Sequence, residues 1–286
     1  MKKYHWSFKR SVLCAIAPLI MVGCAQEKAA FRPQPPAAVS STATPVAVAE
    51  RDAKKILMSM AEFLAKAPRF SVNLTGSFEV LQVSGQKIEF GENRKITVSR
   101  PNGLRVEVEH SDGEKHLVLY DGKEITTFSP TQNVYAQVSK PGGIDEAVTY
   151  FLKDLHMRLP LAALLLSRFP AELESRTQAL DYVEKDVIHG IPVHHLAGRT
   201  ETVDYQVWVP AGAQPLPLRV VLTYKNAEGQ PSFRAAFSDW NLAPEIQDNQ
   251  FAFTPPEGAR KIAFLAQLPQ VALEGPTKSE QTGGQK

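Results

Sequence analysis

The alternation of apolar and polar residues between about 50 and 264 predicts one domain built mostly of β-strands. Every second residue is apolar through 70–75 and again through 104–109, which is the period of a strand with one buried face. Turn-forming sequences such as Asp121-Gly122 separate the stretches that share this period. Six strands are expected before residue 140, and five more at about 179–188, 193–199, 204–209, 218–224 and 232–240. Because no strand–helix–strand alternation connects them, we expect eleven antiparallel strands.

Three segments carry the longer period of a helix, or have no polar face at all. The first helix is expected over about 54–67, where apolar residues recur on one face until Pro68 ends it. The second is expected over 143–155, with acidic residues in the favourable first turn. The third is expected to start at Pro160 and to continue to Leu166. This last segment is apolar all round, so both its sides must be covered in the folded protein.

The first 23 residues have the three parts of an export signal. Basic residues precede an uncharged apolar stretch over 11–22, which is too short for the ~20 residues of a membrane-spanning helix. The stretch ends in Met21-Val22-Gly23-Cys24, which resembles the lipobox of bacterial lipoproteins, with Met21 in place of the usual leucine. The resemblance implies that Cys24 becomes the first residue and carries a diacylglyceryl group. The alternative is an ordinary secretory signal with an incidental cysteine.

Removal of the signal changes the net charge of the chain from +2 to −2, because residues 1–23 contain four basic and no acidic residues. A weakly acidic protein offers no basic surface to nucleic acid. Residues 24–49 are rich in Ala, Pro, Ser and Thr, and we interpret them as a lipid-anchored linker that reaches ~25–75 Å. Residues 265–286 are interpreted as a disordered tail.

Several motifs of the predicted domain are similar to those of one known protein superfamily. Ser99-Arg100-Pro101-Asn102 is similar to a strand-ending turn of that superfamily, and residues 119–130 are similar to its Asp-Gly hairpin. Residues 251–259, Phe-Ala-Phe-Thr-Pro-Pro-Glu-Gly-Ala, are similar to its C-terminal signature. Short motifs between 207 and 240 resemble an uncharacterised branch of predicted periplasmic proteins. In their order and spacing these motifs resemble the periplasmic carriers of the lipoprotein-localisation system. The resemblance implies a half-barrel, that is, a strongly curved unclosed sheet, with a helical lid over a cavity that receives acyl chains.

The resemblance also implies roles for single residues. Arg100 has the position of the arginine that bonds to the lid in that superfamily, so it is the expected lid latch; the alternative is an ordinary charged residue before a turn. Apolar alternation selects eight candidate cavity-lining residues, namely Phe78, Phe90, Val98, Val106, Val108, Leu161, Leu164 and Leu165. The alternative for the leucines of 159–166 is that they form plain core without a cavity.

The sequence lacks the usual signals of an enzyme or a metal site. No Gly-x-Ser-x-Gly motif occurs, Cys14 lies in the segment that is removed, and Cys24 would carry the lipid. His189, His194 and His195 lack further ligands, and neighbours in a strand point to opposite faces. We therefore expect no catalytic residue, no metal and no cofactor.

We expect a lipoprotein that is held to a membrane by its lipid and faces the periplasm. Its expected function is to bind a lipid-like or acylated ligand. Ala25-Gln26 after Cys24 implies the outer membrane, by resemblance to lipoproteins of Gram-negative bacteria. The tether departs from the soluble shuttle of the superfamily, because a tethered protein cannot cross the periplasm with cargo. The alternative is a regulatory or structural module that contacts other envelope proteins, and a hydrolase ranks last.

Overall fold

A computed structural model describes residues 45–267, in which strands are the main element. The helices are α1 (Pro45–Lys66), α2 (Ile144–Lys153) and α3 (Phe169–Arg176). One sheet contains the strands β1 (Arg69–Leu81), β2 (Lys87–Ser99), β3 (Gly103–His110), β4 (Lys115–Tyr120), β5 (Glu124–Ser129), β6 (Val134–Ser139), β7 (Ala179–Ile188), β8 (Ile191–Arg199), β9 (Val203–Pro210), β10 (Arg219–Tyr224), β11 (Ser232–Asn241) and β12 (Arg260–Ile262). Short 3₁₀ turns lie at Ala162–Leu165 and Leu265–Gln267.

The sheet combines two meanders that meet side by side. Strands β1 to β6 pair in sequence order, β7 to β11 do the same, and β1 pairs with β11. All of these neighbours are antiparallel, which confirms the eleven predicted antiparallel strands. The order runs from β12 to β7 without closing, so the predicted unclosed sheet is also confirmed. The sequence did not predict β12, which pairs in parallel with β6 through three exposed residues and therefore shows no apolar alternation.

Helix α1 begins at Pro45, inside the predicted linker, and ends at Lys66, close to the expected boundary at Pro68. Its buried Leu57 and Leu64 belong to the hydrophobic core. Among residues 45–267, no helix is both long and apolar enough to cross a membrane. Cys24, the linker up to residue 44 and the tail from residue 268 lie outside the described residues, so the lipid anchor and the disordered tail stay predictions.

The segment after α2 corrects one prediction. The α-helix predicted over 160–166 is wrong, because the chain forms only the 3₁₀ turn Ala162–Leu165 there. Leu161 precedes that turn in a left-handed conformation, with φ of 65°, which a right-handed helix cannot include. The regular helix lies further on, at α3, where Pro170 occupies the first turn and Arg176 the last.

One face of the sheet carries the core. On β1, β2 and β3 this face consists of the even-numbered residues, so Phe70 pairs with Val98 and Ile96 pairs with Val106 across neighbouring strands. These side chains share one core with the buried faces of α1, α2 and α3. We call this surface the inner face of the sheet.

Candidate functional site

The inner face is partly covered by residues 156–166, which we call the lid segment. Between the lid segment and the sheet lies a cavity of about 20 Å³, which has room for about one water molecule. Apart from Arg94 the lining is apolar, and the sheet contributes Phe70, Val72, Leu74, Ile96, Val106, Phe237 and Trp240. The lid segment contributes Leu159, Pro160, Leu161, Ala162, Leu164 and Leu165, and α1 contributes Leu64. The leucines of the lid segment thus fill most of this apolar interior.

The eight candidate cavity-lining residues divide into two groups. Four of them line the cavity, namely Val106, Leu161, Leu164 and Leu165. The other four, Phe78, Phe90, Val98 and Val108, share the inner face but lie outside the lining. Val98 is fully buried in the adjoining core, whereas Phe90 is 40% exposed and stacks on Phe78 with 5.8 Å between the ring centroids. The inner face therefore has a covered part and an open end at these two phenylalanines.

Arg100, the expected lid latch, lies in the turn after β2 and contacts the lid segment. Its Nη1 atom donates a hydrogen bond to the carbonyl oxygen of Leu165 at 2.8 Å, and its Nε atom donates to that of Ala67 at 3.2 Å. Burial lowers the pKa of the Arg100 guanidinium, an effect that nearby Asp145 opposes. One side chain thus joins the lid segment to the end of α1.

Asp145, in the first turn of α2, holds the chain immediately after the lid segment. Its carboxylate accepts hydrogen bonds from the backbone N–H of Ser167 at 2.9 Å and from the Ser167 hydroxyl at 2.7 Å. The Nη1 atom of Arg168 lies 3.6 Å from the same carboxylate. The C-terminal end of the lid segment is therefore held from two sides, by Arg100 and by Asp145.

Arg94 holds the lid segment at a second point, the carbonyl of Pro160, and was missed in the sequence. Its Nη1 atom donates to the carbonyl oxygen of Pro160 at 3.2 Å, and its Nη2 atom forms an ion pair with Glu92 Oε1 at 2.5 Å. The side chains of Arg94 and Glu92 are only 6% and 3% exposed. Burial lowers the pKa of Arg94, and the negative charge of Glu92 opposes this effect.

The sequence did contain a signal for this pair. Along β2, Phe90, Ile96 and Val98 occupy even positions, and Glu92 and Arg94 fall in the same period. Two opposite charges two residues apart on an apolar face predict a buried ion pair, because an unpaired charge there would be costly. The apolar residues on either side dominate the pattern of this strand.

A larger space, an open groove of about 640 Å³, lies between α1 and strands β7 to β9. Its lining mixes Lys55, Lys185 and Tyr182 with apolar groups such as Ile56 and Pro210. It lacks the apolar enclosure of the lid-covered cavity. The cavity is therefore the better candidate for binding a lipid-like ligand.

Two of the three histidines considered as metal ligands, His194 and His195, have other partners in the folded chain. His194 Nδ1 lies 3.0 Å from the Tyr182 hydroxyl oxygen, and the His195 ring stacks on Trp208 with 4.0 Å between centroids. Within the described part of the chain, no three His, Cys, Asp or Glu side chains form a group that could hold a metal ion.

Several solved structures are similar in shape to this chain. The Mycobacterium tuberculosis lipoprotein LppX is 14% identical, with a TM-score of 0.44, and the match covers 69% of this chain and 100% of that one. An uncharacterised conserved protein from Thermus thermophilus is 11% identical, with a TM-score of 0.43 and coverage of 74% and 99%. A LolA superfamily protein from Nitrosomonas europaea is 13% identical, with a TM-score of 0.36 and coverage of 70% and 97%. Similarities of this size carry no information about a ligand.

The comparison with curated proteins finds none that matches. A family model, described as "Predicted periplasmic protein (DUF2092)", matches residues 53–265 and so spans the β-rich domain. This is the branch that the motifs between 207 and 240 resemble. The chain therefore belongs to the DUF2092 family of predicted periplasmic proteins.

Proposed function

We propose that this protein is a membrane-tethered periplasmic lipoprotein that binds a lipid-like or acylated ligand on the inner face of its half-barrel. One observation carries the proposal: an apolar cavity is closed by a leucine-bearing segment of mostly irregular structure. Side chains hold this segment through the backbone carbonyls of Pro160 and Leu165. Such a segment can move away without the loss of any strand of the sheet.

The free-energy cost of opening the lid segment and the gain from burying an acyl chain are of similar size, which supports reversible binding. Exposure of three leucines of the lid segment costs about 5–9 kcal/mol, at ~1.5–3 kcal/mol for each side chain. An acyl chain of ~16 carbons contributes about 12 kcal/mol when it is buried, at ~0.8 kcal/mol for each methylene. Because the closed cavity of about 20 Å³ cannot hold such a chain, binding requires the lid segment to move. The small difference between gain and cost favours a ligand that can also leave.

The tether defines what the protein does with its ligand. A lipid on Cys24 and a linker of ~25–75 Å keep the domain near one membrane, which we propose is the periplasmic side of the outer membrane. The protein would receive, hold or sense an acylated molecule there, a lipoprotein being one candidate. It would not carry the ligand from one membrane to another.

The test is binding of a fluorescent apolar probe, 1-N-phenylnaphthylamine, to the full chain and to two matched variants. Leu164→Asp introduces a charge into the cavity lining. Val183→Asp introduces the same charge on β7, at a position that is 47% exposed and outside the cavity lining. We expect probe binding by the wild type and by Val183→Asp, and loss of binding in Leu164→Asp. Equal binding by all three folded proteins would place the probe elsewhere and contradict the proposal.

A second function, contact with another envelope protein, is favoured by the β7 edge. In the described residues β7 is the last strand of the sheet on its side, and Val183 and Val187 on it are 47% and 62% exposed. An exposed apolar edge strand can accept a strand from a partner. Val187→Lys should weaken capture of such a partner and leave probe binding unchanged. Leu164→Asp should abolish probe binding and leave capture of the partner unchanged.

A further inference from the structure

A buried ion pair, here Arg94 and Glu92, is not expected beside a cavity that binds only hydrocarbon. Arg94 is the one charged residue in the described lining of the cavity. Replacing a buried ion pair by apolar residues is often neutral or stabilising, so stability alone does not explain the pair. A donor group in an apolar pocket is, in contrast, a common means of orienting a ligand.

The hydrogen bonds of Arg94 are incomplete in the closed state. Nη2 contacts Glu92 and Nη1 donates to the Pro160 carbonyl, but Nε has no hydrogen-bond partner within residues 45–267. The guanidinium carbon also lies 5.4 Å from the centroid of the Phe233 ring. When the lid segment moves, the Pro160 carbonyl leaves, and a second donor of a buried cation loses its acceptor. Such a loss is costly unless another oxygen takes its place.

We propose that Arg94 is the polar subsite of the cavity and binds the carbonyl oxygen of an ester- or amide-linked acyl chain in place of the Pro160 carbonyl. This inference rests on the proposed function and names the chemical class of its ligand. Exchange of one carbonyl for another couples ligand entry to the displacement of the lid segment. An apolar ligand without an acceptor oxygen can still bury its surface beneath the lid segment, but it leaves Arg94 without a replacement for the Pro160 carbonyl and should bind more weakly.

The charges around Arg94 favour a neutral oxygen over a carboxylate. Glu92 already balances the charge of Arg94, so a carbonyl leaves the buried pair neutral, whereas a free fatty acid would add an uncompensated negative charge. Burial raises the pKa of nearby Tyr224, an effect that the positive charges of Arg94 and Arg158 oppose, so its phenol stays uncharged at neutral pH. Arg158 belongs to the lid segment, so it moves away when that segment opens. His110 Nδ1 lies 3.9 Å from Glu92 Oε2, on the side of Glu92 that does not contact Arg94.

The position of the pair also fits the junction of a polar head with an apolar chain. Along β2, Ile96 and Val98 extend from Arg94 into the covered part of the inner face. In the opposite direction Phe90 lies at the open end, 40% exposed. An acyl chain can therefore extend under the lid segment while its head group points toward solvent.

The test compares two lipids that differ at one carbonyl, 1-palmitoylglycerol and 1-O-hexadecylglycerol, as competitors of 1-N-phenylnaphthylamine on the full chain. We expect the ester to displace the probe at about tenfold lower concentration than the ether, since a hydrogen bond to a charged donor contributes about that factor or more. At neutral pH we expect palmitate to compete less well than 1-palmitoylglycerol.

The matched variants separate the subsite from the cavity. The double substitution Glu92→Gln with Arg94→Met removes both charges together, which avoids a buried unpaired charge, and it should bring the ester-to-ether preference to about one. Lys95→Met, on the same strand but exposed, should keep the preference. An equal response to ester and ether in the wild type, a preference that survives the double substitution, or tighter binding of palmitate would each overturn the inference while leaving lipid binding intact. If neither glycerolipid displaces the probe from the wild type, the proposed function itself fails.

Discussion

At the scale of single residues, two arginines bind the lid segment at two of its backbone carbonyls. Arg94 donates to the carbonyl of Pro160 and Arg100 donates to that of Leu165, so the lid segment is fixed through its backbone. Backbone carbonyls are present whatever the side chain, which leaves the leucines between them free to fill the cavity. The resemblance predicted Arg100 because its turn motif is recognisable, whereas Arg94 lies in a strand whose pattern is otherwise apolar.

Arg100→Ala should loosen the lid segment without unfolding the sheet. The substitution removes the hydrogen bonds to Leu165 and Ala67, and bonds to charged groups contribute ~1.5–3 kcal/mol each. We expect amide hydrogen exchange in 156–166 to become at least about tenfold faster. Arg69→Ala, an exposed arginine at the start of β1, is the control and should leave that exchange unchanged. If amide exchange in 156–166 is unaltered in Arg100→Ala, then Arg100 is an ordinary turn residue and does not hold the lid segment.

Glu79 gives the fold a predictable response to acid. Hydrogen bonds from the Ser232 backbone N–H, and then from Arg234 and Lys87, lower the pKa of Glu79 from 4.5 to about 2. Because the folded-state pKa is lowered, the stabilising effect is complete above about pH 4.5 and is lost as the pH falls toward 2. The melting temperature of Glu79→Gln should therefore lie below that of the wild type at pH 6, and the two should converge near pH 2. A constant difference across this range would contradict the assignment.

At the scale of elements, the sequence predicted what is periodic and failed where periodicity is absent. The eleven antiparallel strands were predicted in number and order, and those after residue 179 within two residues of their ends, because alternation marks a strand with one buried and one exposed face. The first strand was predicted too short, since β1 continues to Leu81. The stretch 160–166 is apolar all round, and neither its 3₁₀ turn nor the left-handed Leu161 has a pattern of its own. The cavity was predicted only in part, since alternation identifies the inner face but not how far the lid segment extends over it.

The lid segment should open independently of the sheet. Between α2 and α3 only the 3₁₀ turn is regular, whereas every strand from β1 to β5 is paired on both sides. In native-state hydrogen exchange with increasing urea, amides of 159–166 should exchange through a local opening that depends weakly on urea. Amides of β1 and β2 should exchange through global unfolding. If both sets share one strong urea dependence, the leucines of 159–166 are plain core and the lid model is wrong.

At the scale of the whole molecule, the domain and the predicted anchor together restrict the mechanism. With the proposed lipid on Cys24 the domain would work within tens of ångströms of one membrane, so we expect its ligand to arrive there and leave there. The Cys24→Ala protein should be exported and released in soluble form, with an unchanged circular dichroism spectrum. Fractionation of membranes from soluble periplasm tests this, and a variant that stays with the membrane would contradict lipid anchoring at Cys24.

The most direct test of the central claim is mass spectrometry of an organic extract of the protein purified from its native membrane. We predict that an ester- or amide-linked acyl lipid co-purifies with the wild type in near-stoichiometric amount. The Leu164→Asp protein, purified in parallel, should contain far less of it, while Val183→Asp should match the wild type. Repeated absence of any acyl lipid from the wild type, or equal amounts in all three proteins, would contradict ligand binding beneath the lid segment.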